Sequence, residues 1–217
     1  MATGTCLKRG SSGDIRREAA PGGLRAVRDL HTARFGCRWL ARRLARREAR
    51  ALTRLAGTDG VPALIALEPD RLIRSFVPGE PMHAAEPRSK SYYLSALGLL
   101  RRIHSMGVTH NDLAKEANWI RRPDGTAGIV DFELAVCFRT RNRWFRLLAR
   151  EDLRHLLKHK ARYRPDALSS RQRAMLARPS WPARLWRALF KPGYHLVTRR
   201  VLGWPERKSA AERERPA

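Results

Sequence analysis

The spacing of apolar and polar positions predicts a β-rich first part of the chain and a mostly helical second part. Near the start, two β-like pieces around Asp14–Arg16 and Leu24–Val27 are separated by the turn sequence Pro21-Gly22-Gly23, which predicts a hairpin. Further strands are predicted at Val61–Leu67, at Arg71–Val77, in a hairpin centred on Pro123-Asp124-Gly125 and at Gly128–Val130.

Three segments have the apolar spacing of helices. They run from Arg38 to Ala56, from Ser91 to Met106, and from about Trp144 onward. In the first of them, four leucines fall within one sector at about 100° per residue, and most of the arginines lie outside that sector. The leucines are Leu40, Leu44, Leu52 and Leu55, and the arginines are Arg42, Arg43, Arg46, Arg47 and Arg50.

One carboxylate, Glu48, falls inside the apolar sector of the first helix. Burying a carboxylate costs free energy unless a cation compensates it. The pattern therefore predicts a specific basic partner for Glu48.

The chain is strongly basic, with 45 Lys and Arg against 20 Asp and Glu and a formal net charge of +25. Such a charge favours anionic partners and salt-dependent association. Nucleic acid, an anionic membrane face, lipopolysaccharide and nucleotide all satisfy it, and an arginine-rich genome would account for part of the bias without any function.

Cysteine usage favours a reducing compartment, and hydropathy gives no sign of a spanning helix. Cys6, Cys37 and Cys137 lack the spacing of a zinc site or a disulfide framework, and no segment has the roughly 20 apolar residues that a spanning helix needs. We expect a cytoplasmic protein, with any membrane association peripheral to the inner membrane.

Two short motifs indicate chemistry. The segment Ile103–Leu113 reads IHSMGVTHNDL and resembles the helix end and catalytic loop of protein kinases. Thirteen residues after Asn118, the run Ile129-Val130-Asp131-Phe132 resembles the strand and Asp-Phe-Gly motif of the same superfamily. The resemblance implies an α+β, compact, bilobal fold, with a small β-rich N-lobe carrying one main helix and a mostly helical C-lobe.

The resemblance also implies a division of labour around ATP and Mg²⁺. Asp112 would orient or deprotonate the acceptor hydroxyl, and Asn118 and Asp131 would hold the metal. Lys115 would touch the transferred phosphate, although it is displaced by one position, and its alternative is a solvated loop lysine. Asp152 would brace the catalytic loop, with a helix cap as the alternative.

Upstream, the resemblance extends to the nucleotide-covering lobe. Gly10 and Gly13 belong to a degenerate phosphate-covering loop, for which an ordinary turn is the alternative. Arg28 occupies the place of the ATP lysine, and Glu48 lies twenty residues further on, close to the family interval. An Arg28–Glu48 ion pair would supply the partner that Glu48 needs.

Three departures from the kinase pattern bear on function. Arg28 replaces a lysine whose compact ammonium contacts phosphates, Glu133 replaces the glycine of Asp-Phe-Gly, and no Ala-Pro-Glu sequence follows. Glu133 is expected to point outward. The shortened form resembles a bacterial RIO-like and lipopolysaccharide-kinase-like branch of small serine/threonine kinases.

We therefore expect an N-lobe at residues 1–79, a C-lobe at 80–205 and a disordered tail at 206–217. The expected activity is ATP- and Mg²⁺-dependent transfer to a Ser/Thr hydroxyl of a protein. The alternatives are a lipopolysaccharide or sugar kinase at the inner membrane face, and a pseudokinase that binds RNA or an acidic partner. Aromatic and basic residues between Trp181 and Trp204 fit packing on the C-lobe or an interfacial contact with an anionic membrane.

Overall fold

A five-stranded antiparallel sheet forms the first part of the chain in the computed structural model, which describes residues 5–8, 13–21, 23–33 and 37–177. The strand order is β1-β2-β3-β5-β4. The strands are β1 (Thr5–Lys8), β2 (Asp14–Ala20), β3 (Gly23–Asp29), β4 (Leu64–Leu67) and β5 (Arg71–Ser75).

The predicted hairpin at Pro21 is confirmed, and its two strands are longer than the segments predicted from the sequence. β2 and β3 pair in register from Ala20 opposite Gly23 to Asp14 opposite Asp29. β3 in turn pairs with β5, so β3 is the central strand of the sheet. This position buries the side chain of Arg28 near the end of β3.

The helix α1 (Arg38–Arg54) packs on the sheet mainly through alanines. Ala41, Ala45 and Ala49 are buried in one cluster with Leu30 and Leu72. Of the leucine stripe that the sequence predicted, Leu52 and Leu55 are buried, but Leu40 is 38% exposed and Leu44 is half-buried. The small alanine side chains let the helix approach the sheet closely, which displaces the first two leucines from the core.

A second core lies around the helix α3 (Lys90–Ser105), close to the predicted Ser91–Met106. The side chain of Ser89 caps this helix by accepting a hydrogen bond from the backbone N–H of Tyr92 at 3.2 Å. Gly107 ends it with a φ of +72°, a left-handed conformation that favours glycine. The core packed against α3 includes Trp119, Ile129, Phe132 and Leu156.

Short strands and three further α-helices complete the described part. The predicted hairpin around Asp124 forms strands β8 and β9, and β6 extends that sheet. The strands β7 and β10 pair with each other. The elements are β6 (Glu80–Pro81), α2 (Met82–Ala85), β7 (Val108–Thr109), β8 (Trp119–Arg121), β9 (Ala127–Ile129), β10 (Val136–Cys137), α4 (Arg143–Tyr163) and α5 (Ser170–Ala177).

The elements up to Leu176 make one compact unit, within which the predicted lobe boundary at residue 79 stays a prediction. Gly10, the Trp181–Trp204 segment and the predicted tail at 206–217 lie outside the described residues. Among the helices of the described ranges, none is long and apolar enough to cross a membrane.

Candidate active site

The loop after β7 holds Asp112 between two nitrogen donors. Lys115 Nζ donates to Asp112 Oδ2 at 2.6 Å, and Asn118 Nδ2 donates to the same oxygen at 3.2 Å and to the Asp112 carbonyl at 3.0 Å. The Asp112 side chain keeps 16% of its surface exposed. The loop therefore fixes one oxygen of this carboxylate while the group still meets solvent.

Charge around Lys115 keeps its ammonium protonated. Burial by itself would lower the pKa of Lys115, but the Asp112 carboxylate beside it, with Asp131 and Glu133 further away, raises the pKa above its ordinary value. Lys115 is thus a fixed positive charge next to the predicted catalytic carboxylate. Its predicted contact with the transferred phosphate stays a prediction.

Asp131 follows β9 and lies beside the catalytic loop. The backbone N–H of Val130 donates to the Asn118 carbonyl at 3.0 Å, so the two predicted metal ligands, Asn118 and Asp131, are carried on hydrogen-bonded backbone segments. Asp131 has a φ of +70°, a left-handed conformation that Asp and Asn adopt more readily than most residues. Its side chain is largely buried.

Arg28 occupies the centre of a buried cluster of carboxylates. Its Nη1 lies 3.2 Å from Glu48 Oε2 and also contacts Glu133 Oε1, and its Nη2 lies 3.4 Å from Asp131 Oδ1. The predicted Arg28–Glu48 ion pair is therefore present, between side chains that are 1% and 0% exposed. The expectation that Glu133 points outward is wrong, because the positive charge of Arg28 draws this carboxylate inward.

A second arginine, Arg74 on β5, completes the cluster, and the sequence did not predict it. Arg74 Nη1 donates to Glu48 Oε1 at 2.6 Å. Burial opposes the charged form of Arg28, but the carboxylates of Glu48, Glu133 and Asp131 together raise its pKa above the ordinary value. In the sequence, the only sign of this role was an arginine placed inside the predicted strand Arg71–Val77.

The predicted nucleotide-contacting residues have structural partners of their own. The guanidinium nitrogens of Arg28 face carboxylates, so its contact with ATP phosphates stays a prediction. Gly13 has a φ of +107°, and a Cβ there would collide with the carbonyl oxygen of Asp29, so close backbone packing already requires a glycine. Its phosphate contact also stays a prediction.

Asp152 of α4 braces the catalytic loop, as the sequence suggested. Its Oδ2 accepts the backbone N–H of His110 at 2.8 Å, and its Oδ1 accepts that of Asn111 at 2.9 Å. His104 Nε2 lies 3.1 Å from Oδ2. Because Asp152 is 1% exposed, these bonds are shielded from water and fix the backbone just before Asp112.

His110 and Asn111 tie the catalytic loop to the segment around Asp131. His110 Nε2 lies 3.0 Å from the Val130 carbonyl, which only an N–H can satisfy, and the ring packs on Phe132 at 4.6 Å between centroids. Asn111, with a φ of +65°, donates from Nδ2 to the Leu134 carbonyl at 2.9 Å. Asn111, which replaces the arginine usual in kinases, thus has a structural role.

Further along, α4 supports the loop at two positions that the sequence did not reveal. His159 Nε2 lies 2.8 Å from the Leu113 carbonyl, and Tyr163 Oη donates to Glu116 Oε2 at 2.7 Å. The three supporting side chains, Asp152, His159 and Tyr163, lie on one helix.

Comparison with known proteins agrees with this architecture. The model of the RIO domain family matches residues 25–172, more than half of the chain. This chain belongs to the RIO domain family. The match begins in β3 and ends in α5, so it contains Arg28, Glu48, Asp112, Asn118 and Asp131.

A solved structure has the same fold as this RIO domain. The Rio2 kinase from Chaetomium thermophilum superposes with a TM-score of 0.58 at 18% sequence identity, over 78% of this chain. The chain spans 60% of that kinase's length. No curated protein matches the sequence. The predicted kinase-like α+β fold is thereby confirmed; the closer resemblance to a lipopolysaccharide-kinase-like branch stays a prediction.

Proposed function

We propose that this RIO domain is an ATP- and Mg²⁺-dependent phosphotransferase with a hydroxyl-bearing acceptor. The observation that supports it most is the convergence of Asp112, Asn118 and Asp131 on two hydrogen-bonded backbone segments. Phosphoryl transfer needs metal-binding oxygens on one side and an acceptor-facing carboxylate on the other. These three residues supply both.

The donor set fits a magnesium ion. Asn118 commits its amide nitrogen to Asp112, which leaves the amide oxygen to a cation, and Asp131 adds a carboxylate. Oxygen ligands of this kind are those that Mg²⁺ prefers. When bound, ATP would supply the phosphoryl group, and the magnesium ion would offset the negative charge of the phosphates.

Asp112 is arranged to work on the acceptor hydroxyl. Within the described residues, Lys115 and Asn118 both donate to Oδ2, so Oδ1 is the oxygen available to orient the hydroxyl or to take its proton.

Arg28 takes a positioning role in this proposal. It holds Asp131 and Glu133 from one side, while Arg74 balances Glu48 from the other. The cluster has three carboxylates and two guanidinium groups, and this excess of negative charge favours a divalent cation next to Asp131.

Two acceptor classes and one non-catalytic alternative were expected. We favour a Ser/Thr hydroxyl as the conventional assignment. A sugar of lipopolysaccharide is the second candidate, because α4 begins at Arg143, soon after Asp131, and leaves little chain for a peptide-docking platform. The pseudokinase alternative draws on the carboxylate contacts of Arg28, which compete with phosphate.

Nucleotide binding tests this proposal without knowledge of the acceptor. Isothermal titration with ATP should show binding in excess Mg²⁺ and a large loss of affinity in EDTA. Asp131→Asn should weaken the binding in Mg²⁺ because the metal loses a charged ligand. Arg25→Ala, at a half-buried position near the start of β3, should not. Equal affinity in EDTA and in Mg²⁺ would count against this site.

A further inference from the structure

The face of α1 opposite Glu48 carries an exposed strip of three arginines and one tryptophan. At about 100° per residue and a rise of about 1.5 Å, Trp39, Arg43, Arg46 and Arg50 fall within a sector of about 60° and span about 16 Å of the helix. The three arginines are exposed. The same helix therefore presents Glu48 to the buried cluster and this strip to solvent.

The strip forms one wall of a groove of about 780 Å³, which we call the arginine groove. The other wall is the segment Ala135–Cys137, which follows the Asp131 turn. No carboxylate lines the groove among the described residues. The side chains that α1 contributes are Trp39, Arg42, Arg43, Arg46, Arg47 and Arg50.

Some of these arginines are held by the protein and others are not. Arg42 pairs with Asp70 at 2.7 Å, and Arg47 donates from Nε to the Ala135 carbonyl at 2.6 Å. Across residues 5–8, 13–21, 23–33 and 37–177, no carboxylate lies within ion-pair distance of the strip arginines, Arg43, Arg46 and Arg50. Burial, reinforced by repulsion from Arg43, lowers the pKa of Arg47. The groove thus concentrates positive charge, and a bound anion would reduce the repulsion among its arginines.

An aromatic ring begins the strip. Trp39, in the first turn of α1, keeps 65% of its surface exposed. A flat aromatic ring beside guanidinium groups offers a stacking surface for a nucleobase, and proteins that bind single strands combine such rings with a basic groove.

We propose that the arginine groove binds single-stranded nucleic acid, with consecutive phosphates on Arg43, Arg46 and Arg50 and a base stacked on Trp39. Side chains one helical turn apart rise by about 5.4 Å, a repeat similar to that of the phosphates in an extended strand. A phosphopeptide would bring a single phosphate to three free guanidinium groups. A membrane surface is too broad to enter a groove. This inference concerns a surface outside the Asp112 site and does not rest on the proposed transferase activity.

The salt dependence of binding tests the phosphate contacts. Fluorescence anisotropy of a labelled oligouridine, measured on the full chain across a series of salt concentrations, gives the slope of log affinity against log salt. Each phosphate contact of a single strand contributes about 0.7 to this slope. A variant with Arg43→Gln, Arg46→Gln and Arg50→Gln should lower its magnitude by about 2 and weaken binding at low salt.

A matched control removes the same charge elsewhere, with Arg101→Gln and Arg102→Gln on α3 and Arg173→Gln on α5, all exposed. The control should bind more tightly than the groove variant and keep a steeper slope. Equal slopes and equal affinities for the two triple variants would overturn the proposal. Loss of sedimentation with anionic vesicles in the groove variant, with RNA binding like that of the control, would overturn it in favour of a lipid surface.

The stacking contact has its own comparison. Trp39→Ala should weaken oligouridine binding about tenfold, the scale of one lost stacked base, while Trp39→Phe should retain most of the affinity. Trp144→Ala removes another exposed tryptophan, at 58% exposure, and should have little effect. Equal losses for Trp39→Ala and Trp144→Ala would remove Trp39 from the site.

Discussion

Truncation of Arg28 to Ala should destabilise the fold strongly. In the folded protein this residue compensates Glu48, Asp131 and Glu133, and it is 1% exposed. Removing one partner of a buried ion pair costs about 3–5 kcal/mol. Since Glu48 would keep its 2.6 Å contact with Arg74, we expect about 3 kcal/mol, at the lower end of this range.

Thermal denaturation provides the assay. For a chain of this size, a loss of about 3 kcal/mol corresponds to a fall in Tm of roughly 6–12 °C. Arg25→Ala on the same strand is the matched control, because Arg25 pairs with Glu18 at a more exposed position, where such a pair contributes about 0–1 kcal/mol. Arg28→Lys keeps the charge and should retain most of the stability.

The pH dependence adds a second readout. Without Arg28, the carboxylates of Asp131 and Glu133 lie close to each other and to Glu48 and repel one another, so the pKa values of Asp131 and Glu133 in the folded variant should rise above those in the unfolded chain. The folded variant then binds more protons, and its deficit relative to wild type should shrink as the pH falls from 7 toward 5. An Arg28→Ala protein that melts like Arg25→Ala would refute the compensating role of Arg28.

Three further predictions concern the support of the catalytic loop. Asp152→Asn should cost about 2–3 kcal/mol in urea denaturation, because a charged acceptor of buried backbone N–H groups is lost, and an unchanged midpoint would contradict the brace. Burial lowers the pKa of His159, so the unfolded chain takes up the proton first, and the Tm should fall as the pH drops below about 6.5; His159→Gln should flatten that dependence. Asn111→Ala should cost about 1–2 kcal/mol through its left-handed backbone, whereas Asn111→Gly should avoid that strain, and equal melting of the two would contradict this reason.

The local sequence was sufficient to predict the loop that carries Asp112 and the need of Glu48 for a partner. The spacing of His110, Asp112 and Asp131 along the chain matches a known loop motif. A carboxylate on the apolar face of a helix is costly to bury unless a cation lies beside it, so Glu48 by itself indicated a basic partner. The candidate partner Arg28 came from a family interval, and the ion pair is present. The predictions of the loop and of the need of Glu48 for a cation depend only on neighbours along the chain or on a single helix.

The missed features depend on contacts between distant segments. Arg74 reaches Glu48 only because β5 pairs beside β3, and strand order cannot be read from periodicity. The alanine face of α1 was overlooked because alanine gives a weak hydrophobic signal, although it lets the helix lie close to the sheet. Strands of two residues such as β7 and β10 carry no pattern at all.

Phosphate transfer from γ-labelled ATP tests the central claim most directly. The wild-type protein, Asp112→Asn and the control Arg25→Ala would be incubated with Mg²⁺ and with lysate separated into protein, lipid and small-molecule pools. We predict labelling of one pool by the wild type and the control, and about a hundredfold less by Asp112→Asn at unchanged ATP affinity, because a positioned acid/base group is lost. Labelling by Asp112→Asn at the wild-type rate, or no Mg²⁺-dependent labelling of any pool by the wild type, would contradict the account.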